Sequence, residues 1–358
     1  MGPEALGQPS AGEVLSPSDR LHIAQAAVLA PSADNRHCFA LQFSGARILL
    51  FGNDAYVSSP YHRKILGLIS FGAVAENMRV AAASLGYQTG ITWLPDPRDP
   101  SLTAELRLAK AQRSEQDLDA AISRRHTNRR LSYHGPRLSD SELAALSKGV
   151  PAIEGVSLHF MDSPTSRSKL LRILRIAEAE RFNTRSLHQE LFSAVRFDVG
   201  WYNTVEEGIA PCALSVEPGM RWAFRQLGRW PVIYALRALG FHHALGFRAA
   251  DLPCRLAPHC CVLGTTLPIE RGAPGVGIAL QRIWLRAASS GLALQPFAAP
   301  ALLALPGYLD VPSTTRDRLR DAWRGLLADT PVAVFRMGIA KAPEGRSGRP
   351  TSTAFIRT

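Results

Sequence analysis

Two stretches decide the fold: Phe71-Gly72-Ala73-Val74-Ala75-Glu76-Asn77-Met78-Arg79-Val80-Ala81-Ala82-Ala83-Ser84-Leu85-Gly86, and Val276-Gly277-Ile278-Ala279-Leu280-Gln281-Arg282-Ile283-Trp284-Leu285-Arg286-Ala287-Ala288-Ser289-Ser290-Gly291. Gly72 and Gly277 are 205 residues apart, and so are Gly86 and Gly291. In the same register Ala82-Ala83-Ser84 falls on Ala287-Ala288-Ser289. A helix bounded by the same glycines and packed through the same small residues marks one supersecondary unit used twice. Two copies so far apart indicate a fused pseudo-dimer of related halves, because a solenoid needs three or more short repeats.

Outward from this pair, the pattern gives a helix over 21–30 stopped by Pro31, then strands over 41–43 and 47–51 joined by Ser44-Gly45. The first repeated helix spans 64–85 with Gly86 as its cap, and a strand over 91–94 follows. Later come a helix over 119–125 and one capped by Ser139 and Glu142, a strand over 156–160, and amphipathic helices over 166–181 and 186–195. A buried strand over 256–263, the second repeated helix over 277–290, a helix over 316–327 and an apolar strand over 332–337 complete the chain. Strands and helices alternate without a βαβ rhythm, and no G-x-G-x-x-G opens a helix, which argues against a dinucleotide-binding fold. The expected class is α+β, with mixed or antiparallel sheets flanked by helices. The expected division is a disordered leader over 1–18, a first module over 19–118, a second over 119–350, and a tail over 351–358. A helical insertion is expected at about 195–250 within the second module.

Of the 358 residues 46% are hydrophobic and 20% charged, a globular balance. Forty-one Lys and Arg against 30 Asp and Glu give a net charge of +11, which suits an anionic partner: a nucleic acid, a membrane surface or a phosphorylated small molecule. The arginines are spread along the chain and carry no nucleic-acid-binding signature, so no nucleic acid partner is expected. The apolar stretch from Trp230 to Phe247 is broken by Arg237, His242 and His243, so no membrane partner is expected either. The 5 cysteines have irregular spacing and no C-x-x-C pair, which points to a reducing compartment, the cytoplasm, and to no metal site.

Three stretches carry chemistry. Arg125-His126-Thr127-Asn128-Arg129 sets two guanidinium groups beside a hydroxyl, a donor set for a phosphate; read alone it is equally a solvated basic turn. Gly345-Arg346-Ser347-Gly348-Arg349-Pro350 offers open backbone N–H groups between cations, or else a disordered basic tail. Pro31-Ser32-Ala33-Asp34-Asn35-Arg36-His37-Cys38-Phe39 is a small-residue loop, or an ordinary Asx-type turn.

Together these stretches resemble the FMN-dependent nitroreductase superfamily, and within it the Acg-like branch, in which two nitroreductase modules are fused in one chain. That family carries an R-x-S-x-R array, a P-S-x-x-N-x-Q-P-W loop from the opposite module, a small-residue helix ending in Gly-Leu, and a basic closing segment. The resemblance implies that Arg125 and Thr127 bind the FMN phosphate and ribityl chain, and that Arg346, Ser347 and Arg349 complete the phosphate site. It implies that Arg129 approaches the N1 edge of the flavin, and that Pro31, Ser32 and Asn35 come across the pseudo-dimer interface. The turn Leu294-Gln295-Pro296-Phe297 would present backbone donors near flavin N4 and N5. Thr127 replaces the family's Ser, and His37-Cys38-Phe39 stands where the family has Gln-Pro-Trp. The first half lacks an arginine array ahead of Pro31, so one FMN per chain is expected.

The implied function is an FMN-dependent oxidoreductase passing electrons through flavin N5 between a donor such as NAD(P)H and a small organic acceptor, in a monomer. The other reading is a non-catalytic FMN-binding or storage protein with a sealed flavin site. Residues 201–249 mix Trp222, Phe224, Trp230, Tyr234 and Phe241 with Arg221, Arg225, Arg229 and Arg237. They read as a helical hairpin with core aromatics and solvated arginines, or as a lid.

Overall fold

The computed structural model describes residues 15–357. The leader expected over 1–18 lies outside them except for its last four residues. Of these, Ser16 caps the first helix and Pro17 opens it, so the first module begins no later than Ser16.

In chain order the elements are α1 (Pro17–Val28), β1 (Phe39–Ser44), β2 (Arg47–Gly52), α2 (Asp54–Val57), α3 (Tyr61–Leu85), β3 (Tyr87–Trp93), β4 (Leu102–Lys110) and α4 (Gln116–Arg124). Then follow α5 (Asp140–Leu146), β5 (Val156–Phe160), α6 (Pro164–Asn183), α7 (Arg185–Ser193), α8 (Arg221–Leu227), α9 (Trp230–Arg237), α10 (Phe241–Gly246) and α11 (Leu252–Arg255). The last are β6 (His259–Thr265), α12 (Ile269–Ser289), β7 (Ala293–Phe297), α13 (Ala299–Leu302), α14 (Ser313–Arg324) and β8 (Thr330–Gly338).

Two compact units are present, and they do not follow the chain as two contiguous modules. The first gathers residues up to Arg125 with Ala273–Ser289 and the segment from Arg349 onward; the second gathers His126–Gly272 and Ser290–Gly348. Thus α12 from Ala273 onward and the last residues belong with the N-terminal half. The physical reason lies in the repeated helices.

Within the first unit α3 and α12 cross at the repeated glycines. A Cβ on Gly72 would meet the Pro274 carbonyl oxygen at 2.0 Å, and one on Gly277 would meet the Ile69 carbonyl oxygen at 2.0 Å. Ile69 and Pro274 are themselves 205 residues apart, so the contact is self-complementary, like the two-fold interface of a homodimer. One turn on, Gln281 Nε2 donates to Asn77 Oδ1 at 2.6 Å, while Arg282 Nε and Nη2 donate to the Glu76 carboxylate at 2.9 and 3.1 Å. Glu76 is fully buried and also takes two bonds from Arg79. Burial pushes its carboxyl up, but the two guanidinium groups outweigh this and hold it below the ordinary range. Gly86 closes α3 in the left-handed region at φ 90°, as its position predicts.

The sheet of this unit runs β1-β2-β4-β3, antiparallel throughout. Strand β4 is not among the expected elements, although Leu102, Ala104, Leu106 and Leu108 alternate in the period of a strand. The tail is ordered: Ile356 bridges Leu41, and Phe355 stacks on Phe39 with ring centroids 4.9 Å apart. Helix α3 is long and apolar enough to cross a membrane, but 72% of that window is buried inside the protein.

The second unit has its own antiparallel sheet, β5-β6-β8-β7. Every residue of β6 is buried, Cys260 and Cys261 included. Leu170, Ile173 and Leu174 of α6 form the core with Val262 and Val334. Leu294 to Phe297 is the edge strand β7 and not the expected turn, because each residue from Ala293 to Phe297 pairs with β8. Within residues 195–250, α8, α9 and α10 pack around Phe182, Phe192 and Ile233.

The crossing makes one prediction. Gly72→Ala drives a methyl group into backbone that cannot swing aside, and should destabilise by about 1–3 kcal/mol, lowering Tm by about 2–4 °C per kcal/mol. Gly219→Ala, where nothing lies within 4 Å of the added Cβ, should leave Tm unchanged or slightly raised. Equal melting of both variants in a thermal scan would remove the close approach as a determinant of stability.

Candidate functional site

In the first unit, α1 ends at Val28 and Pro31 cannot continue it, so the chain turns into a loop before β1. Asp34 and Asn35 are both left-handed, at φ 57° and 56°. Asp and Asn tolerate this region best, yet each still costs about 1–2 kcal/mol, so something must hold the loop. Three arginines from distant parts of the chain do. Arg125 Nη2 donates to the Leu29 carbonyl at 2.8 Å, Arg63 Nη1 pairs with Asp34 Oδ2 at 2.6 Å, and Arg349 Nη1 donates to Asn35 Oδ1 at 2.5 Å.

The three arginines differ in their surroundings. Arg63 is neutralised by Asp34. Arg125 is buried and lies 4.6 Å from the Trp284 ring, a neutral partner. Burial alone pulls the Arg349 guanidinium down to about 10. On the same loop the Ser32 hydroxyl is buried with no hydrogen-bond partner among the described residues. A buried cation, Arg125, a half-buried one, Arg349, and an unsatisfied hydroxyl gathered at one loop form a donor set that suits the acceptor oxygens of an anion such as a phosphate. Pro31, half-buried, leads into this loop.

His37 ends the loop and is 5% exposed. Burial first, and then the Arg349 cation, lower its pKa to about 4, while the Val28 carbonyl acts weakly the other way. The ring is therefore neutral at pH 7, edge-on to Phe355 at 5.7 Å. It sits where the motif has Gln, and it keeps the site uncharged at that point.

The second unit holds the rest of the expected residues. The array divides after Arg125, so Thr127 and Arg129 fall here. Thr127 forms a parallel bridge with Leu294, and Asn128 N donates to the Leu294 carbonyl at 3.2 Å. Leu294 and Phe297 are buried on β7, and Gln295 is half-buried. Arg129 Nη1 donates to the Ala213 carbonyl at 3.2 Å. Of the closing segment, Arg346 is exposed, and its carbonyl accepts from Thr204 Oγ1 at 2.7 Å. Ser347 Oγ accepts from Ala210 N at 3.3 Å, and Gly348 N donates to the Val205 carbonyl at 2.7 Å. The start of the insertion is thus strapped onto both Arg129 and residues 346–348.

Two arginines escaped sequence reasoning. Arg63 stands near the start of α3 without any motif around it. Arg336 lies within the apolar strand β8 and is 0% exposed. Its Nε donates to Gln295 Oε1 at 2.9 Å, its Nη1 to the carbonyls of Leu131 and Pro253 at 2.7 Å each, and its Nη2 to the Arg130 carbonyl. It fixes the chain just after Arg129 to the Gln295 side chain. A lone charge in the run Val332-Ala333-Val334-Phe335-Arg336-Met337 was the available signal.

No protein-family model matches the chain. It is 26% identical over 303 residues to an uncharacterized protein of Mycobacterium tuberculosis (strain CDC 1551 / Oshkosh), a match covering 81% of this chain. The chain spans only 40% of the length of that curated relative. In fold it is similar to the FMN-dependent nitroreductase of Mycobacterium smegmatis solved in complex with NADPH, at 16% identity and TM-score 0.38, over 68% of this chain and 98% of that one. It is likewise similar to a nitroreductase with bound FMN from Desulfitobacterium hafniense, at 14% identity and TM-score 0.36, over 68% of this chain and 98% of that one.

His37 gives a pH test of the loop. Its folded pKa of about 4 lies below the ordinary 6.5, so between these values the unfolded chain takes the proton first. Stability is then full above pH 6.5 and declines as pH falls toward 4, by about 3 kcal/mol in total. Urea unfolding between pH 7 and 4.5 should show this slope, and His37→Gln should flatten it. An identical slope in the variant would mean that His37 is not neutral in the folded protein.

Proposed function

We propose that the chain is an FMN-dependent oxidoreductase of the nitroreductase type, moving electrons between a donor such as NAD(P)H and a small organic acceptor in the cytoplasm, as a single chain. The observation that carries this reading is the gathering of Arg125 and Arg349 on the loop that bears the unsatisfied Ser32 hydroxyl. These residues fit the phosphate of FMN: guanidinium groups give directional charge-assisted bonds, and the hydroxyl adds a donor. When bound, the flavin supplies the two-electron carrier. The chain's own residues supply position and charge. Asn35, held by Arg349, fixes the loop; His37 stays neutral beside it; Pro31 keeps α1 from running through it. Thr127, Arg129, Leu294, Gln295, Phe297, Arg346 and Ser347 are carried as further FMN contacts from the motif resemblance, with Arg336 positioning Gln295.

A specific observation favours the second reading, a flavin binder closed to substrate. Residues 204–213 bond to Arg129 and to the backbone or side chains of 346–348. A permanently held strap there would leave FMN bound and turnover slow.

Titration of the protein with FMN tests the first claim. Arg125→Ala and Arg349→Ala should each weaken binding by about 1.5–3 kcal/mol. Exposed Arg346→Ala should cost less than about 1 kcal/mol. Unchanged affinity in both the Arg125 and the Arg349 variant would remove the phosphate assignment. Anaerobic mixing with NADPH or NADH then separates the two readings: rapid bleaching of the yellow bands means turnover, and reduction by dithionite alone means the closed binder.

A further inference from the structure

The insertion carries a surface that neither reading of the flavin site uses. Residues 218–250 contain five arginines and no Asp or Glu. On α9 and its C-cap the outward positions are Pro231, Tyr234, Ala235 and the cap Ala238, all exposed, while Ile233 on the opposite side is buried. A helix lying on a soluble core normally turns polar residues outward. This one is apolar on both sides. The outward face continues through Leu239, 82% exposed, and Phe241, and the neighbouring α8 presents Trp222, 75% exposed. The stretch is helical, but its large side chains are not all core.

The cations flank this face. Arg225 and Arg229 are exposed, and neither has a carboxylate partner among the described residues. Arg237 lies over the Tyr234 ring at 4.9 Å, its charge at the rim of the apolar patch. Arg221 and Arg248 do pair, with Glu344 and Glu217. Exposed Trp and Tyr beside arginines, with aliphatic side chains between them, match the layering of a bilayer surface: phosphate groups outside, acyl chains beneath. A second copy of this chain would set arginine against arginine. Charge complementarity favours an anionic lipid surface.

We propose that α8–α10 form a peripheral docking face for an anionic membrane surface, with Trp222, Tyr234, Leu239 and Phe241 entering the headgroup boundary and Arg225, Arg229 and Arg237 meeting lipid phosphates. This revises the expectation of no membrane partner. It calls for adsorption to the surface and for no membrane-spanning segment.

Co-sedimentation of the full chain with lipid vesicles tests it. Binding to phosphatidylcholine vesicles containing about 30% phosphatidylglycerol should exceed binding to phosphatidylcholine alone at least about tenfold. It should collapse at about 0.5 M salt. The double variant Arg225→Ala/Arg229→Ala should bind about 25-fold more weakly, at about fivefold per arginine. Tyr234→Ser/Leu239→Ser should lose most binding at low salt as well, while its circular dichroism stays that of the parent, since both side chains are exposed. Absence of binding, equal binding to both vesicle types, or indifference to the variants would overturn the proposal. So would a dimer in light scattering that Tyr234→Ser/Leu239→Ser dissociates, because the face would then belong to a second copy.

Discussion

The contact on which the first unit depends is the crossing of α3 and α12 at Gly72 and Gly277, where each glycine faces a backbone carbonyl that would leave no room for a Cβ. Such an approach brings the backbones together and lets Glu76, Asn77, Gln281 and Arg282 meet in reciprocal pairs. A buried carboxylate is costly unless it is fully hydrogen-bonded, and Glu76 receives four guanidinium bonds. The crossing and the buried network support each other: a methyl group at either glycine would part the helices and strand the charges. Because α12 leaves the sequence neighbours on either side of it to make this contact, the compact units are interleaved along the chain.

The same unit concentrates positive charge on one strained loop. Arg63, Arg125 and Arg349 come from the start of α3, the end of α4 and the closing segment, and each holds a different residue between Leu29 and Asn35. Two left-handed residues in succession are unfavourable by themselves, so the arginines do structural work there. They also bring positive charge to the loop that bears Ser32. Both roles require burial, which explains why Arg349 is pulled down from its ordinary range and His37 is kept neutral.

Much of this was legible in the sequence, for physical reasons that differ by residue. The repeated glycines were visible because close packing tolerates no side chain there, and Ser139 with Glu142 because a capping box has fixed spacing. Strand β4 was readable from its alternation, and Leu294–Phe297 was hidden because a single Pro296 in an edge strand looks like a turn. Interleaving was not readable at all, since nothing in the Ala273–Ser289 stretch states which unit it joins. Arg125 and Arg349 stood out through the arrays around them, but Arg63 and Arg336 act through tertiary contacts that no local pattern announces. The insertion's aromatics read as core by composition; Ile233 is buried and Trp222 exposed, and only packing separates them.

The most direct test compares FMN with riboflavin, which has the same ring and ribityl chain but no phosphate, by calorimetric titration at one salt concentration. If Arg125, Arg349 and Ser32 receive the phosphate, FMN should bind about a hundredfold or more tighter than riboflavin, since each charge-assisted bond contributes about 1.5–3 kcal/mol. Equal affinities, or binding of neither, would contradict the account.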